Sequence, residues 1–204
     1  MAAQIISSCT KHFLIILTVF LTLTSLARHT SAASKKVSLS ASRAFIKKSC
    51  NTTTYPSLCI KTLTPYAPSV GTSRFKLCNA ALSAAIKAAG NCSAAVSKLS
   101  STQKGIARPE ARAIKECISD LKDAVYELKQ TVAAMGRLGK GADRDFQWAN
   151  AKTYASAAIT DAETCVDGFL GRKVNPVVRK KIRSCVVGVE KLISNALSLI
   201  NRLY

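Results

Sequence analysis

The sequence predicts an all-α protein, an antiparallel up-down-up-down four-helix bundle with an N-terminal helical hairpin extension. Four long stretches repeat apolar residues at the three-and-four spacing of one helix face, and glycine or proline marks each junction between them. No stretch alternates as a half-buried strand would. Long amphipathic helices joined by short loops pack as antiparallel neighbours.

In chain order, residues 1–32 read as a secretory signal peptide. Lys11 and His12 precede an apolar run from Phe13 to Leu26 (FLIILTVFLTLTSL), and Thr30, Ser31 and Ala32 offer a small-residue cleavage site. At 14 residues the run is shorter than the ~20 that a membrane-spanning helix needs. The mature chain, residues 33–204, is expected to start near Ala33 and to be secreted to the extracellular space, with no membrane association after removal of the leader. Residues 37–68 contain SCNTTTYPSLCIKTL, in which Pro56 separates two short helices. A bond between Cys50 and Cys59 pins them as a hairpin.

The bundle is expected over residues 72–204. Its first helix starts near Thr72 or Ser73 and repeats Cys78, Leu82, Ile86, Ala89, Val96 and Leu99. The second opens with Pro109 in its first turn, carries the stripe Ile114, Ile118, Leu121, Val125, Leu128, Val132 and Met135, and stops at Gly136 to Gly141. An Asp143 cap starts the third, which runs through Trp148, Ala155, Ala158, Ala162 and Val166 to Phe169, with Gly168 and Gly171 as the stop. Asn175-Pro176 opens the last, whose stripe is Val178, Ile182, Val186, Val189, Ile193, Ala196 and Ile200.

Removal of the leader takes away Lys11, Arg28, Cys9 and both histidines, which lowers the net charge from +19 to +17. A mature chain without imidazole has no His general base, no Ser-His-Asp or Cys-His pair and no His metal ligand; carboxylate or lysine catalysis stays open, and no cofactor or metal is expected. Seven cysteines remain, and in an oxidising compartment they read as disulfides with at least one thiol left over. No pair has the short CxxC spacing of a zinc site. Cys117 and Cys165 lie beside the stripes of adjacent antiparallel helices, so a bond there staples the two. Cys78 and Cys92, about 21 Å apart on one helix at 1.5 Å per residue, cannot bond to each other. Either can meet Cys185, or all three are free, buried thiols.

Between Ser34 and Pro109 there are 12 Lys+Arg and no acid, whereas ten of the 11 acids fall between Glu110 and Asp167. The basic excess suggests electrostatic association with an anionic wall polysaccharide such as de-esterified pectin. Nucleic acid is excluded as a partner by the leader and by aromatics without stacking pattern. Asn51-Thr52-Thr53 and Asn91-Cys92-Ser93 are glycosylation sequons.

Four segments, CNTTTYPSLCIKTL (50–63), ECISDLKDAVYEL (116–128), SAAITDAETCVDGF (156–169) and ISNALSLI (193–200), resemble the plant invertase and pectin methylesterase inhibitor family. The resemblance spans essentially the whole chain. It implies a bundle with a protruding N-terminal hairpin and two disulfides, Cys50 to Cys59 and Cys117 to Cys165. It further implies a protein that is not itself an enzyme and that blocks a cell-wall enzyme through a one-to-one complex. The wording of SAAITDAETCVDGF leans toward inhibition of pectin methylesterase, with acid invertase as the alternative target. The positions implied for contact across the pectin-binding cleft are Ser119, Asp123 and Tyr126 on the second long helix and Thr164 and Asp167 on the third. Helical spacing adds Ser156, Thr160 and Glu163 in one row with Asp167, clear of the apolar stripe.

Overall fold

The computed structural model describes residues 37–102, 107–139 and 141–204. The signal-peptide reading of residues 1–32 lies outside the described residues. Helix α1 (Leu39–Cys50) is opened by Ser38, whose Oγ accepts the Ala41 N–H at 3.2 Å. After a turn at Asn51, α2 (Pro56–Leu63) starts with its proline at the position that needs no N–H donor. A single 3₁₀ turn (Thr64–Tyr66) and the one-turn α3 (Ala67–Val70) follow, so the short-helix region reaches Val70 and not only Pro68. The bundle then consists of α4 (Arg74–Thr102), α5 (Arg108–Gly136), α6 (Ala142–Asp167) and α7 (Pro176–Ile200).

Each bundle helix packs on the next, and α4 packs on α7, which closes the square. The buried line on α5 is Ile114, Cys117, Leu121, Ala124, Leu128, Thr131 and Met135. Ile118 and Val125 are only half-buried and Val132 is 36% exposed, so the true line is rotated from the expected stripe toward Cys117 and Ala124. The cause is the neighbour: α6 buries Ala151, Ala155, Ala158, Ala162 and Cys165, and such small side chains let two backbones approach until residues between the aliphatic positions are enclosed as well.

Asp143 does not cap α6. Gly141, at φ +71°, occupies the cap position in a conformation that favours glycine, and Asp143 and Asp145 sit in the first turn, where their charge complements the helix dipole. The helix ends at Asp167, and Phe169, 2% exposed, is buried in the turn beyond it. Asn175 caps α7 by accepting the Val177 N–H at 2.9 Å, while buried Glu110 on α5 accepts the Asn175 N–H at 3.2 Å.

The inner face of the hairpin is packed against its own helices and against the bundle. Ile46, Cys50, Cys59, Leu63, Ala67 and Val70 are all buried, and the hairpin needs the α4 and α7 surfaces to cover them. Buried Asn195 on α7 clamps it: its Oδ1 accepts the Tyr55 N–H at 2.8 Å and its Nδ2 donates to the Tyr55 carbonyl at 3.0 Å. At the same end Trp148 of α6 donates from Nε1 to the Ile200 carbonyl at 2.9 Å.

Three disulfides are present among the described residues. Cys50 is bonded to Cys59 within the hairpin, Cys117 to Cys165 between α5 and α6, and Cys92 to Cys185 between α4 and α7. Of the alternatives open for the last three thiols, Cys92 takes Cys185. Cys78 is a free, buried thiol, pushed up to about 12 chiefly by burial.

Candidate functional site

The Cys117–Cys165 bond, with its Cα atoms 4.1 Å apart, holds α5 and α6 in close register and sets the geometry of everything on their outer surface. Ser119, Asp123 and Tyr126 on α5 and Ser156, Thr160, Glu163, Thr164 and Asp167 on α6 are all exposed, Tyr126 at 58%.

Those eight residues do not make one uniform face. Asp161 of α6 feels the charges of Asp123, Glu127 and Asp120 of α5, so Asp123 belongs to the groove between the two helices. Glu163 and Asp167 are instead felt by Glu190 of α7, so they lie within electrostatic reach of that helix as well. Ser119 and Tyr126 lie on the outer flank of α5, a helical step away from the groove.

The groove itself is acidic. Glu116, Asp120, Asp123 and Glu127 form a ridge at four-three-four spacing along α5, opposite Asp161. Partial burial raises the carboxyl pKa of Asp120, helped by the charges of Asp123 and Glu116. Asp161 is raised in the same way, by burial first and then by its three α5 neighbours. Glu116, at the end of the ridge, is held below the usual carboxylate range: Arg112 Nε donates to Oε1 at 2.8 Å and Arg172 Nη1 to Oε2 at 3.0 Å. Arg172 thereby ties the α6–α7 turn to α5. Glu127 Oε2 is buried without a hydrogen-bond partner.

The hydroxyl ladder on α6 completes the chemistry. Ser156 Oγ donates to the Lys152 carbonyl at 2.9 Å, Thr160 Oγ1 to the Ser156 carbonyl at 3.4 Å and Thr164 Oγ1 to the Thr160 carbonyl at 2.8 Å. Each hydroxyl has spent its single proton inside the helix and presents only lone pairs outward. Ionised carboxylates also accept only. The groove and the α6 ladder thus present acceptors and negative charge, suited to a partner that brings N–H donors and cations, while the exposed face of α5 keeps the Ser119 and Tyr126 hydroxyls and Lys122 as donors.

Sequence reasoning missed Asp120, Glu127 and Asp161 as members of this surface. The four-three-four spacing of acids from Glu116 to Glu127 was a usable signal, since it parallels the apolar stripe one step around the helix.

A family model described as plant invertase/pectin methylesterase inhibitor matches residues 44–199. The chain belongs to that family. Pectinesterase inhibitor 11 of Arabidopsis thaliana is 36% identical over 190 residues, covering 90% of this chain and 94% of the relative. Pectinesterase inhibitor 9 of the same plant is 40% identical over 162 residues, 78% and 79% of the two chains. The crystal structure of a mutant form of a pectin methylesterase inhibitor from Arabidopsis has the same fold, with a TM-score of 0.58 at 19% identity over 76% of this chain and 94% of its own. Within the matched residues lie all three disulfides, the α5 acidic ridge and the α6 hydroxyl ladder.

Proposed function

We propose that the mature chain is a secreted, extracellular inhibitor of plant pectin methylesterase that acts in the cell wall. It forms a one-to-one complex in which the outer surface of α5 and α6 covers the enzyme's pectin-binding cleft and so limits pectin de-esterification. The observation that carries this reading is the acidic groove beside the α6 hydroxyl ladder, held in register by Cys117–Cys165, in a chain similar to pectinesterase inhibitors along most of its length. Asp123, Thr164 and Asp167 are the central contacts; Ser119, Tyr126, Ser156, Thr160 and Glu163 form the surround. Among the described residues no helix is long and apolar enough to cross a membrane. Asn51 is exposed in the turn after α1, where a glycan has room, whereas Asn91 lies mid-helix beside the bonded Cys92.

The test is titration of refolded, oxidised residues 33–204 against a plant pectin methylesterase and, in parallel, an acid invertase. Loss of methylesterase activity at one equivalent, weakened at least about tenfold in Asp123→Ala plus Asp167→Ala, supports the proposal; interfacial charge pairs of this kind contribute about 1.5 kcal/mol or more. Inhibition of invertase alone moves the chain to the other target named in the family description and refutes the methylesterase reading.

A further inference from the structure

At the end of the bundle where α6 gives way to α7, the surface has the opposite sign. A cleft of about 430 Å³ lies there, with Phe169 and Ile182 among its apolar walls and Leu170, Arg179, Lys180 and Arg183 around it. All three cationic side chains are exposed, and among the described residues none of them forms an ion pair. Lys181 adds a fourth exposed cation on the opposite side of the helix. The first turn of α7 holds no acid of its own; the acids that face this end are Glu110 of α5, which accepts the Asn175 N–H, and Glu190, which lies within electrostatic reach of Arg183. Beside the cations Leu170 is 68% and Val177 60% exposed, which leaves large apolar side chains in water. Unpaired cations and exposed apolar groups around one concave surface favour a ligand that carries regular negative charge on an apolar-faced frame.

We infer that this cleft binds a stretch of de-esterified polygalacturonate. Sugar carboxylates meet Arg179, Lys180 and Arg183, with arginine able to take a carboxylate through two parallel N–H donors. The C–H faces of the sugar rings lie over Leu170. Arg179 and Arg183 are one helical turn apart on the α6 side of α7, so neighbouring sugars along one strand can reach both. The acid-free stretch Ser34–Pro109, which first suggested a polyanion, is not where this site forms. The choice of polysaccharide rests on the proposed function, because this anion is what a pectin methylesterase produces. Binding needs no enzyme, however, so the two readings can fail separately.

The experiment is calorimetric titration of the oxidised mature chain with de-esterified oligogalacturonide and with its fully methyl-esterified counterpart. The triple variant Arg179→Ala, Lys180→Ala, Arg183→Ala is compared with a charge-matched control on α5, Lys115→Ala, Lys122→Ala, Lys129→Ala, and with Leu170→Ala. Expected are binding of the de-esterified chain only and weakening as salt rises. The cleft triple should lose about tenfold or more, the sum of three modest exposed charge contacts, and the control less than about twofold. Leu170→Ala should weaken binding without altering its salt dependence. Equal losses in the two triples would show a diffuse charge effect and overturn the site. So would equal binding of the methyl-esterified chain, or a cleft triple that loses methylesterase inhibition while keeping its grip on the polysaccharide. All substituted residues are exposed, and unchanged circular dichroism confirms that each variant is folded.

Discussion

Replacing Cys117 and Cys165 together by alanine tests how much of the docking surface depends on a covalent staple. A cross-link stabilises mainly by restricting the unfolded chain, and the loop it closes sets the scale. The 48-residue separation of Cys117 and Cys165 corresponds to ~4 kcal/mol at 25 °C. The nine-residue separation of Cys50 and Cys59 corresponds to ~2.6 kcal/mol. The 93-residue separation of Cys92 and Cys185 corresponds to ~4.6 kcal/mol. All six side chains are buried or half-buried, so each double alanine variant also loses comparable sulfur packing, and loop length decides the ranking. Against a typical total of about 5–15 kcal/mol, loss of ~4 kcal/mol is large and shifts the guanidinium midpoint by roughly 1 M. Equilibrium unfolding of the three double variants, followed by circular dichroism, measures the order directly. If the Cys117/Cys165 variant costs no more than the Cys50/Cys59 variant, the loop-entropy reasoning is wrong for this fold. A variant that remains folded should still inhibit more weakly, because α5 and α6 are no longer held in one register.

Three further outcomes are expected. Thiol titration of the oxidised mature chain should find no reactive cysteine in the native state and one, Cys78, after denaturation; three would mean that Cys92 and Cys185 are not bonded. Asp161→Asn should raise the melting temperature at pH 7, because the folded state holds this carboxyl above its ordinary pKa and disfavours the charge. That gain fades as pH falls through the raised value and is gone below about pH 4, whereas Glu116→Gln should lose at pH 7 a stabilisation that persists until acid titrates the lowered group; parallel melting curves across pH would contradict both signs. Asn195→Ala strands the Tyr55 N–H and carbonyl and should cost about 1–3 kcal/mol for each, read from chemical denaturation, with the exposed face of the hairpin unaffected.

The helices were legible because burial of a stripe is a local instruction: apolar residues at three-and-four spacing state where the core lies, whatever packs against it. The partner of Cys185 was not, because it depends on where helices end. Cys92 lies ten residues before the end of α4 and Cys185 nine after the start of α7, so antiparallel packing sets them level, while Cys78 sits at the hairpin end. The same distinction governs the candidate site. Exposure of Asp123, Thr164 and Asp167 follows from the phase of the apolar stripe, and the sequence suffices for it. Which exposed acids look across at which is a tertiary fact, fixed by how far the alanine face of α6 lets α5 approach and by the rotation of both helices. Hence Asp161 is visible in the sequence only as an acid four residues before Cys165, and its grouping with Asp120, Asp123 and Glu127 appears only once the two helices are set side by side. A docking surface spread over two helices is thus read from sequence as two separate rows, and the groove between them, where the charges are most crowded, is the part the rows leave out.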